Sequence, residues 1–209
     1  MRKIISILAL CVAVIIPIPG QTAEGIEITP EMSGHLKKLG GYLNAVKSIQ
    51  SDFVQISSTG DSAKGTLLLS RPKSLRIEYA PPTLILIVAN GDYLSYVDTE
   101  LDQVQHIPVD DTPAAFLLRE TFDFESDELI ITGFERASKA MRVSMVQSED
   151  PLAGELTLVF AEDPMVLRQW SIVDAQGTAT HVTLINARFD FPIAEDRFNV
   201  DLKALDSLR

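Results

Sequence analysis

From Ile49 onward the chain consists of short stretches in which apolar and polar residues alternate at every second position, and within the first six of them the gaps are too short for a crossover helix. Strands joined so closely pair as antiparallel neighbours. The alternation predicts strands at Ser51–Ser58, Ala63–Arg71, Ser74–Tyr79, Leu84–Asn90, Tyr93–Val97 and Gln103–Ile107, with turns at Gly60-Asp61, Pro81-Pro82 and Asn90-Gly91-Asp92. A polar connection at Pro108–Asp111 and an acidic loop through Asp127 lie between this set and a second. The second set is Glu128–Phe134, Ala140–Gln147, Glu155–Ala161, Leu167–Asp174 and Ala179–Asn186, which brings the total to about eleven strands. Leu84–Val88 is apolar at every position, so its parity stays open; such a strand has one face on an interior and the other under a helix or loop.

Two stretches follow a helical period instead. Thr29-Pro30 supplies an N-cap with proline at the first helical position, and Met32, Leu36, Leu39, Leu43 and Val46 then form one apolar face of a helix ending near Lys47. Gly40-Gly41 weakens that helix and lets another backbone come close. His35 lies off the apolar face, where a solvated side chain is expected. Thr112-Pro113 repeats the start signal before Ala114–Leu118, two apolar turns that cannot stand alone and must lie on a greasy surface. Near the C-terminus, a helical turn is expected around Ala194–Arg197, followed by an extended piece.

The first twenty-three residues differ in kind. Arg2 and Lys3 precede the apolar run Ile4–Ile16, and Pro17, Pro19 and Gly20 break it before Gln21-Thr22-Ala23. This is the pattern of a secretory signal peptide, too short to span a membrane, with residues 24–209 expected as a single domain. Leu8-Ala9-Leu10-Cys11 faintly resembles a lipid-attachment site, but Leu10 is too bulky before the cysteine. Loss of Arg2 and Lys3 with the leader takes the formal charge from −11 to −13, which disfavours nucleic acid and anionic membranes as partners.

Lys64–Tyr79 reads as two strands meeting at Pro72. Leu67, Leu69 and Arg71 share one face of the first, and Leu75, Ile77 and Tyr79 one face of the second. Arg71 therefore stands at the mouth of an apolar surface, where a guanidinium either leans into water or donates its fork of hydrogen bonds to something that closes over that surface.

Gly65-x-Leu67-x-Leu69-x-Arg71-Pro72 followed by Tyr79 resembles the signature of the periplasmic outer-membrane lipoprotein carriers, the LolA family. Phe53-x-Gln55, Val88-x-Asn90-Gly91-x-x-Leu94 with Asp98, Thr112-Pro113 and Trp170-x-x-x-Asp174-x-Gln176-Gly177-x-x-Thr180 follow in the family's order. The resemblance implies an α+β fold, an incomplete and strongly curved antiparallel β-barrel of about eleven strands with helices covering the open mouth. It implies a monomeric periplasmic carrier that takes lipoprotein acyl chains from an inner-membrane ABC-type releasing complex to an outer-membrane receptor, without a cofactor. Arg71 would then hold carbonyls near Phe116–Leu118. Leu36, Leu39, Leu67, Leu69, Leu75, Ile77, Leu86, Val88, Phe116 and Leu117 would form cavity and lid.

Nothing in the residues argues for an enzyme. His35, His106 and His181 stand in no metal-ligand spacing and beside no nucleophile elbow, and Asp110-Asp111 and Glu125–Glu128 lack the spacing of a calcium loop. A lipid- or lipoprotein-sensing module and an outer-membrane lipoprotein receptor are the other readings such a scaffold allows; the receptor needs an anchoring cysteine at its mature N-terminus.

Overall fold

A computed structural model of the chain describes residues 24–112 and 114–200. The expected leader, Pro113 and the end of the expected C-terminal extended piece (201–209) lie outside these residues. Eleven strands form one antiparallel sheet. In chain order they are β1 (Ser48–Ser57), β2 (Ser62–Ser70), β3 (Ser74–Tyr79), β4 (Ile85–Asn90), β5 (Tyr93–Asp98), β6 (Gln103–Pro108), β7 (Leu129–Ala137), β8 (Ala140–Gln147), β9 (Gly154–Glu162), β10 (Met165–Asp174) and β11 (Ala179–Phe189). Their spatial order is β6-β5-β4-β3-β2-β1-β11-β10-β9-β8-β7, so the sheet is an open, incomplete barrel with β6 and β7 as its edges. Among the strand pairings of the described residues, β1–β11 alone joins distant parts of the chain, and Ser51 secures it: its hydroxyl donates to Ile185 O and accepts from Ile185 N–H at 2.9 and 3.1 Å.

Helix α1 (Pro30–Ala45) begins as its residues dictate, with Thr29 Oγ1 accepting the Met32 N–H at 3.3 Å. Leu36, Leu39 and Leu43 bury its apolar stripe on the concave face of the sheet. Helix α2 (Ala114–Leu118) lies over the same face, its Phe116 and Leu118 buried there. Thr112 turns backward, its hydroxyl donating to Val109 O at 2.7 Å. His35 departs from expectation: it stacks on Phe134 with ring centroids 5.8 Å apart and has Glu31 Oε1 at 3.9 Å, because β7 lies beside that flank of α1.

Register settles the parity of β4. Leu75 faces Ala89 and Ile77 faces Ile87, so these share the concave side; Val88 faces Arg76 and Leu86 faces Glu78 on the convex side. Leu86 and Val88, expected to line the cavity, therefore point away from it. They pack with Leu68 and Val97 under Phe198, which a 3-10 turn at Glu195–Phe198 lays across the convex face.

The motif residues explain themselves geometrically. Gly65 pairs with Phe53 and Tyr79, and a Cβ on it would lie 2.2 Å from Glu78 O and 2.9 Å from the Phe53 ring, so only glycine fits. Phe53 and Tyr79 meet edge to face at 5.3 Å, and the Tyr79 hydroxyl donates to Gln55 Oε1 at 2.7 Å. Asp174 Oδ1 accepts the N–H groups of Gln176 and Thr178, both at 2.9 Å, around Gly177 at φ +80°.

Candidate functional site

Arg71 follows β2, its N–H donating to Lys47 O at 2.8 Å, and its side chain rises to the helices. Nε donates to Arg119 O at 3.0 Å, Nη2 donates to the same oxygen, and Nη1 donates to Leu43 O. Leu43 O is in the last turn of α1, and Arg119 follows the last residue of α2. The last carbonyls of a helix lack intrahelical donors and carry partial negative charge, so one planar cation satisfies both helix ends. Burial lowers the pKa of Arg71 from the ordinary guanidinium value, yet arginine stays charged at any physiological pH.

Two apolar spaces lie under the helices. The one beside Arg71 is nearly filled: about 20 Å³ remains among Tyr42, Val46, Ile49, Leu69, Phe116 and Phe122. The other is a hollow of about 250 Å³, walled by Leu75, Ile77, Ile87 and Leu94 on one arm of the sheet and by Leu156, Trp170 and Ile172 on the other. Leu117 of α2 borders both spaces, and Thr112 is at the rim of the second. Such a hollow offers shape and apolar contact, with no concentration of hydrogen-bonding groups to fix a polar ligand.

The two helices are held differently. Asn44 Nδ2 donates to Phe122 O at 3.0 Å and its Oδ1 accepts the Phe122 N–H at 2.7 Å, so α1 and the chain after α2 are joined as two strands would be. Gly40 allows that approach, since a Cβ there would lie 3.4 Å from Phe122 O. Tyr42 reaches the opposite arm: its hydroxyl oxygen accepts the Leu167 N–H at 3.1 Å, beside a register shift in β10. Burial raises the pKa of Tyr42, opposed by that N–H donor. The Lys47 N–H, just past α1, donates to Asp190 Oδ1 at 2.8 Å. Helix α2 is five residues long, tied through Arg119 O to Arg71 and through Ala115 N–H to Thr112 O at 3.1 Å.

Of the residues expected at the site, Leu69 and Phe116 border the filled space, Leu75 and Ile77 the hollow, and Leu117 both. Leu36, Leu39 and Leu67 are buried in the core beneath α1 and border neither space. The acceptors of Arg71 are Arg119 O, next to the expected Phe116–Leu118 stretch, and Leu43 O of α1, which was not expected. Asn44, Tyr42 and Phe122 were missed; Asn44 lies off the helix's apolar face and gave no signal in the spacing. Ile87 was hidden by the ambiguous parity of its strand. Among the described residues no group of three or more His, Cys, Asp or Glu could hold a metal ion, and no helix is long and apolar enough to cross a membrane.

The sequence matches the family described as "Outer membrane lipoprotein carrier protein LolA" over residues 44–201. It is 27% identical over 187 residues to an outer-membrane lipoprotein carrier protein of Halorhodospira halophila, covering 84% of this chain and 86% of that one. It is 34% identical over 93 residues to an uncharacterized protein of Rickettsia prowazekii, a stretch spanning 44% of each chain and so less than half of that relative. In structure it is similar to an uncharacterized conserved protein from Thermus thermophilus, with TM-score 0.50 and 11% identity, covering 82% of this chain and 96% of the other.

Proposed function

We propose that this chain, which belongs to the LolA family of outer-membrane lipoprotein carriers, is itself a periplasmic carrier that shelters lipoprotein acyl chains in its concave hollow and hands them on. The observation that carries the reading is the unfilled apolar space of about 250 Å³ beneath Leu117 of α2, the helix whose C-terminal end Arg71 ties down. The hollow is partly open at its rim and leaves aliphatic and aromatic surface without packing partners. A cavity of roughly 150 Å³ accepts benzene, so this one admits the end of an acyl chain, and a whole chain requires α2 to lift.

A chain of about 16 carbons gains roughly 0.8 kcal/mol per buried methylene, on the order of 10 kcal/mol in all. A carrier that kept all of this could not unload. Leu117 covers the hollow when it is empty, and Phe116 beside it fills the adjoining space, so a whole tail must displace them and net affinity falls. Arg71 adds to the closed side of that balance. Helix α1, pinned by Asn44, Tyr42 and Lys47, serves as the fixed wall and α2 as the lid. The partners are the inner-membrane complex that releases lipoproteins and the outer-membrane receptor that accepts them. The work requires no cofactor and no chemical step.

The test is to offer the purified mature protein a triacylated lipoprotein on inner-membrane vesicles and isolate a soluble complex. Wild type should load and then pass its cargo to outer-membrane acceptors. Arg71→Leu should load and retain it. No complex with either protein overturns the carrier reading. Mass spectrometry of the mature protein finding a lipidated Cys11 at the N-terminus would instead indicate a membrane-anchored receptor.

A further inference from the structure

The two edges of the sheet are finished differently. At β7, the Ile26 N–H donates to Ile131 O at 2.8 Å, and Gly25 lies so close that a Cβ on it would be 2.9 Å from Ile130 Cγ2; the N-terminal segment occupies that edge. At β6 the sheet ends, with no further strand among the described residues. Every residue of β6 except Ile107 is exposed. Tyr93, Leu101 and Val104, exposed by 60%, 62% and 41%, all lie on β5, β6 or the turn between them.

An open edge presents unpaired N–H and C=O groups to any passing strand, and proteins usually blunt it with lysine, proline or a bulge. Gln103-Val104-Gln105-His106-Ile107-Pro108 has neither lysine nor arginine, and its one proline is the last residue. It pairs with β5 without a register shift from Gln103 to Pro108. Such an edge can accept an added strand through main-chain hydrogen bonds.

Charge selects the occupant. No lysine or arginine occurs between Ile77 and Leu118, while Asp98, Glu100 and Asp102 stand before or beside one end of β6 and Asp110 and Asp111 beyond the other. A second copy joined edge to edge would bring acidic ends together in either orientation, which opposes self-association. A segment with basic residues on both sides of a neutral stretch meets opposite charge at both ends.

We propose that the β6 edge is a docking site for an extended, basic segment of a partner protein, which adds to the sheet as a further strand. Residues of β6 border neither apolar space, so docking at this edge leaves both the hollow and the Arg71 tie free.

The test is a nuclear magnetic resonance titration of the isotopically labelled mature protein with the peptide Lys-Lys-Thr-Val-Thr-Val-Lys-Lys. One control carries glutamate for lysine, and another carries N-methyl groups on alternate residues to block strand pairing. The lysine peptide should perturb the amides of residues 103–107 and slow the exchange of those that face away from β5. The glutamate peptide should bind at least about tenfold more weakly, and the N-methylated one should lose the exchange protection. Charge reversal by Glu100→Lys, Asp110→Lys and Asp111→Lys together should cut affinity for the lysine peptide about tenfold while amide dispersion confirms the fold. Perturbations mapping away from β6, equal binding of the glutamate peptide, or sedimentation as a dimer broken by the same reversals would overturn the proposal.

Discussion

The end of the concave face beside Arg71 and the end beneath Leu117 are built from the same aliphatic and aromatic residue types, yet one is nearly solid and the other hollow. About 20 Å³ is left at the first, where α1 and Phe122 press on Ile49, Leu69 and Leu158; about 250 Å³ is left at the second, where α1 does not reach. The difference lies in the cover. A sixteen-residue helix pinned by side-chain hydrogen bonds packs one end like any core, and a five-residue helix held by its flanks spans the other without filling it. An apolar surface is therefore a core or a binding site according to what lies over it.

Truncation separates the ends most sharply. Leu69→Ala should cost about 2–5 kcal/mol, while Ile77→Ala, only half-buried at the hollow, should cost less, about 1–2 kcal/mol. Urea unfolding midpoints measure both, and equal losses would mean the ends do not differ. Enlargement should reverse the contrast. Leu158→Phe should destabilise by about 1–3 kcal/mol, whereas Ile77→Phe should be nearly neutral and should abolish tail uptake in the loading assay.

Smaller effects sharpen the contrast in cover. Asn44→Ala leaves the Phe122 N–H and C=O without their partners and should cost about 1–2 kcal/mol. In hydrogen exchange it should speed opening at residues 119–124 more than in β9 or β10. Tyr42→Phe, losing only the bond from Leu167 N–H, should cost about 1 kcal/mol or less at neutral pH. Burial raises the pKa of Tyr42 above its unfolded value of about 10, so its stabilising effect is complete below that pH and is lost as pH rises through the folded value. Thermal unfolding of wild type should therefore weaken at about pH 11 relative to about pH 8, and Tyr42→Phe should lessen that fall.

Much of this architecture was legible because local chemistry repeats it. Period-two alternation located the strands, Thr29-Pro30 started α1, and Asp174 with Gly177 made a turn by side-chain hydrogen bonds within a few residues. Boundaries slipped where pairing outran pattern: β1 starts at Ser48, three residues before the expected Ser51, because Ser48 and Ile49 pair with Ser70 and Leu69. The site was less legible because its key relations join distant positions. Nothing near Leu86 or Val88 indicates that Phe198 will cover them, and nothing near Asn44 indicates Phe122. The position of Arg71 at an apolar rim was readable from alternation alone, whereas its bridge between Leu43 and Arg119 required the two helices to be in place.

The double hydrogen bond between Asn44 and Phe122 also bears on how the molecule ages through repeated use. It anchors the chain immediately downstream of α2, so in the proposed carrier any lifting of α2 would be confined to the short stretch before Phe122. A carrier built this way would cycle without passing through partly unravelled forms that expose its greasy lining to neighbours or proteases.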